Sequence, residues 1–520
     1  MAARAEKLRA IREQGLDPYP HHFQRTHTAE QIGERFAELE EAETVAVAGR
    51  LRSLRPMGKT TFGHLEDASG RVQLYLRRDD LGEAYPLVKL LDLGDLVGAR
   101  GKVFRTRSGE ISVRVAELVL LAKTLRPMPV VKEKDGQVFD AFTDREARYR
   151  WRYLDLMVNP ETRDVFRRRA GTIRALRRYL DAHEFLEVET PVLQVVYGGA
   201  LARPFRTHHN VLDCDLYLRI AEELPLKKLL VGGLERVYEL GRVFRNEGVD
   251  RHHNPEFTLL EFYWAYADYR DAMDLVEDLF RTVAREVTGG LLLPQRAITD
   301  GEEGPARERP AIDLEPPFAR RPMLALIREV TGADVLAMSD GALRTLAVEL
   351  GGALPGSPPR GKLIERIFDL AVVPNLIAPT FVIDHPKVVS PLAKAHRETP
   401  DALVERFELF IGGQEFVNAF TELNDPHEQR RRFEEQRELR EAGEAETHPL
   451  DEDFLRALEQ GMPPAAGVGI GVDRLVMLLT GATAIKDVLL FPHMRTLEGE
   501  GLGEEDRVAH REGDREGDRE

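Results

Sequence analysis

The chain has 520 residues, a formal net charge of −16 and a single cysteine, Cys214. That length calls for two or more domains, and the acidic balance argues against a protein that coats nucleic acid with its whole surface. One cysteine excludes an internal disulfide framework or a multi-cysteine zinc site, and no apolar run reaches the roughly 18 residues of a membrane span.

Residues 1–40 read as an amphipathic helical extension broken by Pro18-Tyr19-Pro20. Met1 to Arg12 is charged, without the apolar stretch of a signal peptide, so the cytoplasm is the expected location. From residue 41 to 125 the texture changes to short β-rich runs, among them Val45–Ala48, Arg71–Leu76 and Ile111–Val115. Gly58, Ser69-Gly70, Gly94 and Ser108-Gly109 punctuate them as turns. Cations cluster here, including Arg50, Arg52, Arg55, Lys59, Arg71 and Arg105, with Phe62 and Tyr75 interleaved. Aromatics beside a basic groove suit a five-stranded OB barrel that stacks bases, although a small β domain of another kind reads equally well. Residues 126–146 look like a linker, Thr299 to Pro310 like a solvated insert, and 498–520 like a charged disordered tail.

Between 147 and 497 helices alternate with strands, and separated segments carry chemistry. A helix over Val165–His183 leads into Phe185–Leu193. Val237–Tyr263 reads as strand, polar loop, strand, the loop crowding Arg245, Glu247, Arg251, His252 and His253 into a few residues suited to polyphosphate. Alternation puts Phe257, Leu259, Glu261 and Tyr263 on one face of the second strand. Arg406–Ile411 and Gln414–Val417 flank Gly412-Gly413, a two-residue hairpin signal. In that register Phe410 opposes Glu415, so Glu408 and Glu415 share a face and repel unless a cation such as Mg²⁺ lies between them. Asn418, Phe420 and Glu422 join that face only if a β-bulge near Phe416–Val417 switches the parity. Ala466–Leu478 is a glycine-alternating strand running into a helix, with Arg474 near the junction placed to hold a phosphate.

Together these segments resemble the signature motifs of class II aminoacyl-tRNA synthetases, specifically the lysyl enzymes. Phe244–Gly248, His253–Thr258 and Gly467–Arg474 carry the resemblance; Gly198-Gly199-Ala200, Ala202–Phe205 and Thr207–Asn210 extend it. It runs from about Glu43 to Arg495. The resemblance implies an α+β fold: an antiparallel-sheet catalytic domain with flanking helices, dimeric through its first motif, behind an N-terminal five-stranded OB-fold barrel that reads the anticodon. It implies activation of L-lysine with ATP and transfer to tRNA(Lys). By motif position, Arg245 and Arg474 would hold the α- and γ-phosphates as the catalytic pair. Glu247, His253, Asn254, Phe257 and Glu408 would complete the ATP site, and Glu408 and Glu415 would carry Mg²⁺. Gly199, Glu223, Glu261, Tyr263, Asn418, Phe420 and Glu422 would take lysine, and Arg55, Phe62, Gln73 and Glu110 would meet the anticodon.

The side-chain chemistry agrees, since carboxylates and a phenol suit an ammonium, whereas an aspartyl pocket needs cations and an asparaginyl pocket mixed donors and acceptors. Aspartyl or asparaginyl specificity, a paralogue that modifies a protein, and a catalytically dead RNA-binding relative are the rival readings. The chain departs from the family at His252 (often arginine), Glu184 (usually glycine), Leu201 (usually small) and Val388 (often glutamate).

Overall fold

A computed structural model of the chain describes residues 1–129, 132–134, 137–139, 142–299, 306–352, 358–441 and 447–495. It divides into two compact units, Met1–Phe142 and Thr143–Glu520. Part of the 126–146 linker, half of the Thr299–Pro310 insert and the whole 498–520 tail lie outside the described residues.

The first unit opens with helix α1 (Ala2–Glu13) and is built on five strands, β1 (Thr44–Met57), β2 (Thr60–Glu66), β3 (Arg71–Arg77), β4 (Leu96–Arg105) and β5 (Ile111–Ala122). They close into a barrel in the order β1-β2-β3-β5-β4. Val45, Val47, Leu65, Leu74, Leu76, Val103, Val113 and Val115 are fully buried inside it. The intervening residues of β2 face outward, which puts Phe62 and His64 on the surface side. The N-terminal extension is less helical than the sequence suggests: α1 stops at Glu13, and residues 15–28 carry no helix. Pro18 and Pro20 lack donors and bias the residues before them toward extended backbone. Further on, the Thr26 and His27 amides donate to the Ala46 carbonyl, which lays this segment along β1.

The second unit is organised by an eight-stranded sheet. In chain order its elements are α2 (Pro160–Ala182), β6 (Leu186–Glu187), α3 (Glu223–Val231), β7 (Arg236–Phe244), β8 (Glu256–Ala265), α4 (Tyr269–Thr288), β9 (Ala319–Pro322), α5 (Arg360–Ala371), β10 (Thr380–Pro386), β11 (Leu403–Ile411), β12 (Gln414–Thr421), β13 (Ala465–Gly471) and α6 (Val472–Thr480). The strand order is β9-β10-β11-β12-β13-β8-β7-β6. Its inner pairs are antiparallel as expected; the outer pairs β9–β10 and β6–β7 are parallel. One face packs on α2, α4 and α6, with Leu260, Phe262, Phe407, Leu409, Val468 and Ile470 meeting Leu176, Leu180, Val276, Phe280, Leu475 and Val476. Alternation then turns Leu259, Glu261 and Tyr263 to the opposite face.

Two local devices set that opposite face. Gly412 and Gly413 both have positive φ, 60° and 74°, the requirement of a tight type I′ hairpin. From Leu409↔Val417 the register jumps to Phe410↔Glu415, leaving Phe416 as the extra residue of a bulge. This is the parity switch that Glu415, Asn418 and Phe420 need in order to share a face.

Candidate active site

The free face of the sheet encloses a cavity of about 400 Å³. Along its middle runs β13, whose glycines leave room for the side chains of the strands on either side. Gly467 lies between Tyr263 and Phe420, Gly469 lies between Glu261 and Asn418, and Gly471 pairs with Leu259. A β-carbon at Gly467 would overlap Glu422 Oε1 and the Tyr263 ring.

At one end stands the loop between β7 and β8. Asp250 folds it by accepting from the His252 and His253 amides at 2.6 and 2.8 Å and contacting His253 Nδ1 at 2.8 Å. Asn254 is buried and donates to the Glu256 carbonyl at 2.7 Å. The Arg245 guanidinium lies 5.1 Å over the Phe257 ring and donates to the Ile220 carbonyl at 3.2 Å. Arg474, in the first turn of α6, donates to the Glu415 carbonyl at 2.7 Å. Its neighbour Asp473 accepts from the Thr258 amide at 2.7 Å and from Arg169 of α2 at 2.5 Å, which anchors α6 to the sheet. Two arginines therefore face the cavity beside a pair of carboxylates. Arg406 occupies one of these, donating to Glu408 at 2.5 Å and to Asn418 Oδ1 at 3.1 Å. Burial, then the charge of Glu408, raises the Glu415 carboxyl above its usual range, while its side chain stays 40% accessible. On α5, Glu365 lines the same region, pushed up to about 7 chiefly by burial.

The other end has an acidic floor. Glu261 accepts from the Tyr263 hydroxyl at 3.0 Å and from the Glu222 amide at 3.1 Å. Burial, with Glu223 adding to it, pushes Glu261 up to about 7. Glu223 and Glu422 both pair with the buried ammonium of Lys227, and Glu422 Oε1 has no hydrogen-bond partner. His448 lines this end as a neutral imidazole, pulled down to about 4 by burial and by Lys227.

Residues 144–495 match the family described as tRNA synthetases class II (D, K and N), and residues 45–121 match the OB-fold nucleic acid binding domain. The chain belongs to the class II tRNA synthetases. Its similar proteins include a lysine–tRNA ligase of Moorella thermoacetica, 52% identical over 96% of this chain and 98% of that protein. Others are the lysine–tRNA ligases of Pelotomaculum thermopropionicum, 50% identical over 96% of this chain and 95% of that one, and of Enterococcus faecalis, 49% identical over 95% and 97%.

In this synthetase Gly199, Glu223, Arg245, Glu247, His253, Asn254, Phe257, Glu261, Tyr263, Glu408, Glu415, Asn418, Phe420 and Arg474 all line the one cavity. Glu422 does not: it is 0% exposed, behind Gly467 and Tyr263. Sequence reasoning passed over Lys227, Arg406, Glu365 and His448. The first two carried a usable signal, since Lys227 stands one helical turn after Glu223 and Arg406 two strand positions before Glu408. Of the departures, His252 lines the cavity with its ring 3.1 Å from Gln414 Nε2, kept neutral by burial and Arg474. Leu201 also lines it, Val388 is exposed, and Glu184 has a φ of 65°.

The barrel unit has a hollow of its own, lined by Arg52, Arg55, Arg71, Arg105, His64, Gln73 and Glu110. Glu110 accepts from Gln73 Nε2 at 2.5 Å and meets His64 Nε2 at 2.8 Å, while His64 Nδ1 lies 2.7 Å from Ser53 Oγ. Phe62 pairs with Arg55 across the strands and packs edge-on against Tyr75 at 5.2 Å.

Proposed function

We propose that this synthetase is an ATP-dependent lysine–tRNA ligase, converting L-lysine and ATP to lysyl-adenylate and pyrophosphate and passing the lysyl group to the 3′-terminal adenosine of tRNA(Lys). The observation that carries the reading is the buried floor of Glu223, Glu261 and Glu422 under the Tyr263 hydroxyl. Lys227 is one cation among three carboxylates, so a neutral or acidic side chain would leave negative charge on the floor uncompensated, at a cost of several kcal/mol. Lysine offers two ammonium groups, one for the Gly199–Glu223–Glu261 side and one for the Tyr263 hydroxyl with the charge of Glu422 behind it, and Asn418 and Phe420 lie along its stem. The names of the similar proteins point the same way.

Arg245 and Arg474 take the α- and γ-phosphates, Phe257 stacks on adenine, and Glu247, His253 and Asn254 surround the nucleotide. The lysine carboxylate attacks the α-phosphorus in line, and the two guanidinium groups hold and offset the charge on the transferring group. Glu408 and Glu415 fit a magnesium ion: they sit on adjacent strands, repel one another, and form a donor pair of the kind that substrate phosphates and water complete. When bound, Mg²⁺ neutralises phosphate charge. A terminal hydroxyl of tRNA then attacks the activated carbonyl, and the acyl–phosphate bond breaks to release AMP.

In the barrel unit Phe62 stacks an anticodon base, with Arg55, Gln73 and Glu110 at base edges. The reading includes domain limits of 41–125 for the barrel and 147–497 for the catalytic part, a cytoplasmic location and a homodimer. The exposed apolar side chains of Leu186, Val192, Leu193 and Val195, which follow α2, support the dimer. No helix among the described residues is long and apolar enough to cross a membrane. Aminoacylation of a tRNA(Lys) transcript tests the reading: charging with lysine is expected, and charging with aspartate or asparagine would overturn it.

A further inference from the structure

Lys227 has no part in the mechanism above, yet its ammonium lies at the centre of the floor. It leaves α3 one turn after Glu223, its side chain is 0% exposed, and Nζ pairs with Glu223 Oε1 and Glu422 Oε2. The same atom lies 5.3 Å from the Phe420 ring centroid and 5.9 Å from that of Phe454. Glu223 and Glu422 thus share one buried cation, and Glu261, held by the Tyr263 hydroxyl and the Glu222 amide, adds a third carboxylate beside them. Ionised, the group carries three negative charges and one positive, an excess of two, and a diamino acid brings two ammonium groups.

We propose that Lys227 is a specificity-determining residue: by cancelling one of three buried carboxylates it sets the floor to accept two ammonium groups. The inference rests on the lysine reading of this same site. Buried carboxylates that outnumber the cation beside them hold protons rather than all ionise in a dry cavity. Burial accordingly raises Glu223, takes Glu261 to about 7 and holds Glu422 well above the carboxylate range. The other groups facing the floor do not titrate with them near neutrality. Glu222, beside Arg219 at 3.0 Å, is pushed up to about 10 by burial and Glu261. Tyr263 is raised, His448 stays neutral, and Arg245, a permanent cation toward the nucleotide end, acts on Glu261 in the downward direction without titrating itself. An arriving ammonium favours the ionised carboxylate, so affinity for lysine rises with pH until the empty floor has lost its protons.

The test measures the KM for lysine and for ATP in pyrophosphate exchange between about pH 6 and 8.5, for the full chain and for Lys227→Met and Lys227→Arg. Proton release on lysine binding is read alongside by calorimetry in two buffers of different ionisation enthalpy. For the wild type the lysine KM is expected to climb as pH falls through about 7, by up to tenfold per unit per proton, with release of about one proton at pH 7 and a flat ATP KM. In Lys227→Met the climb moves upward by about one pH unit or more, and the lysine KM at pH 7 rises roughly 10–100-fold. Lys227→Arg, which keeps the cation, keeps the wild-type profile. A flat lysine KM with no proton release in the wild type overturns the proposal, as does a Lys227→Met profile that matches wild type. If Lys227→Met fails to fold, the wild-type titration and the Lys227→Arg profile still decide. A wild type inactive with lysine removes the lysine reading itself; one that activates lysine without proton release removes this inference alone.

Discussion

Replacing Gly467 by alanine places one methyl group where the proposed lysine pocket has no room for it. The added carbon would overlap Glu422 Oε1 and lie 2.9 Å from Tyr263 Cδ1. Both groups belong to the acidic floor, and Glu422 cannot retreat because Lys227 lies against its other oxygen. Overpacking of this kind costs about 1–3 kcal/mol, and displacing charge-assisted contacts to the substrate ammonium a further ~1.5–3 kcal/mol. At about 1.4 kcal/mol per factor of ten, the sum corresponds to a loss of roughly 10²–10⁴ in kcat/KM for lysine. The nucleotide end is spared: Phe257 lies six residues along β8 from Tyr263, about 20 Å at ~3.3 Å per residue. Pyrophosphate exchange with lysine and ATP varied in turn reads both ends, with circular dichroism as the check on folding. A Gly467→Ala protein within about threefold of wild type in kcat/KM for lysine would refute the reasoning.

Glu184→Gly relieves a residue held at a φ of 65°. A stability gain of up to ~1 kcal/mol is expected in urea denaturation with exchange activity unchanged, because the exposed Glu184–Arg236 pair contributes little. His252→Arg adds a permanent cation at the phosphate end. The ATP KM should fall about 3–10-fold and the lysine KM stay constant, an outcome that a raised ATP KM contradicts. Glu110→Gln removes an acceptor shared by Gln73 and His64 in the barrel unit. The KM for tRNA(Lys) is expected to rise about tenfold while exchange, which needs no tRNA, stays at wild-type rate; slower exchange would show that the residue acts elsewhere.

Much of the cavity was legible because strand alternation is a local property. Phe257, Leu259, Glu261 and Tyr263 line the cavity together as the period of two requires, and the paired glycines of the hairpin dictate the register that forces the bulge at Phe416. Contacts between residues remote in sequence were not legible. Nothing near Glu422 announces that an ammonium from 195 positions earlier will bury itself there, or that Glu422 will sit behind the wall. Glu365 reaches the carboxylate pair from α5, an element whose amphipathic pattern marks a core helix. The parallel outer strands were missed for a related reason: β6 and β9 are so short that their partners are chosen by the packing of the chain around them.

The most direct test of the central claim is amino-acid-dependent ATP–pyrophosphate exchange by the full chain with Mg²⁺, comparing lysine, ornithine, aspartate and asparagine, in wild type and Glu422→Gln. Exchange with lysine above all others, strongly weakened in the variant, is the predicted result. Exchange with aspartate or asparagine instead, or a Glu422→Gln enzyme that treats lysine as the wild type does, would contradict it.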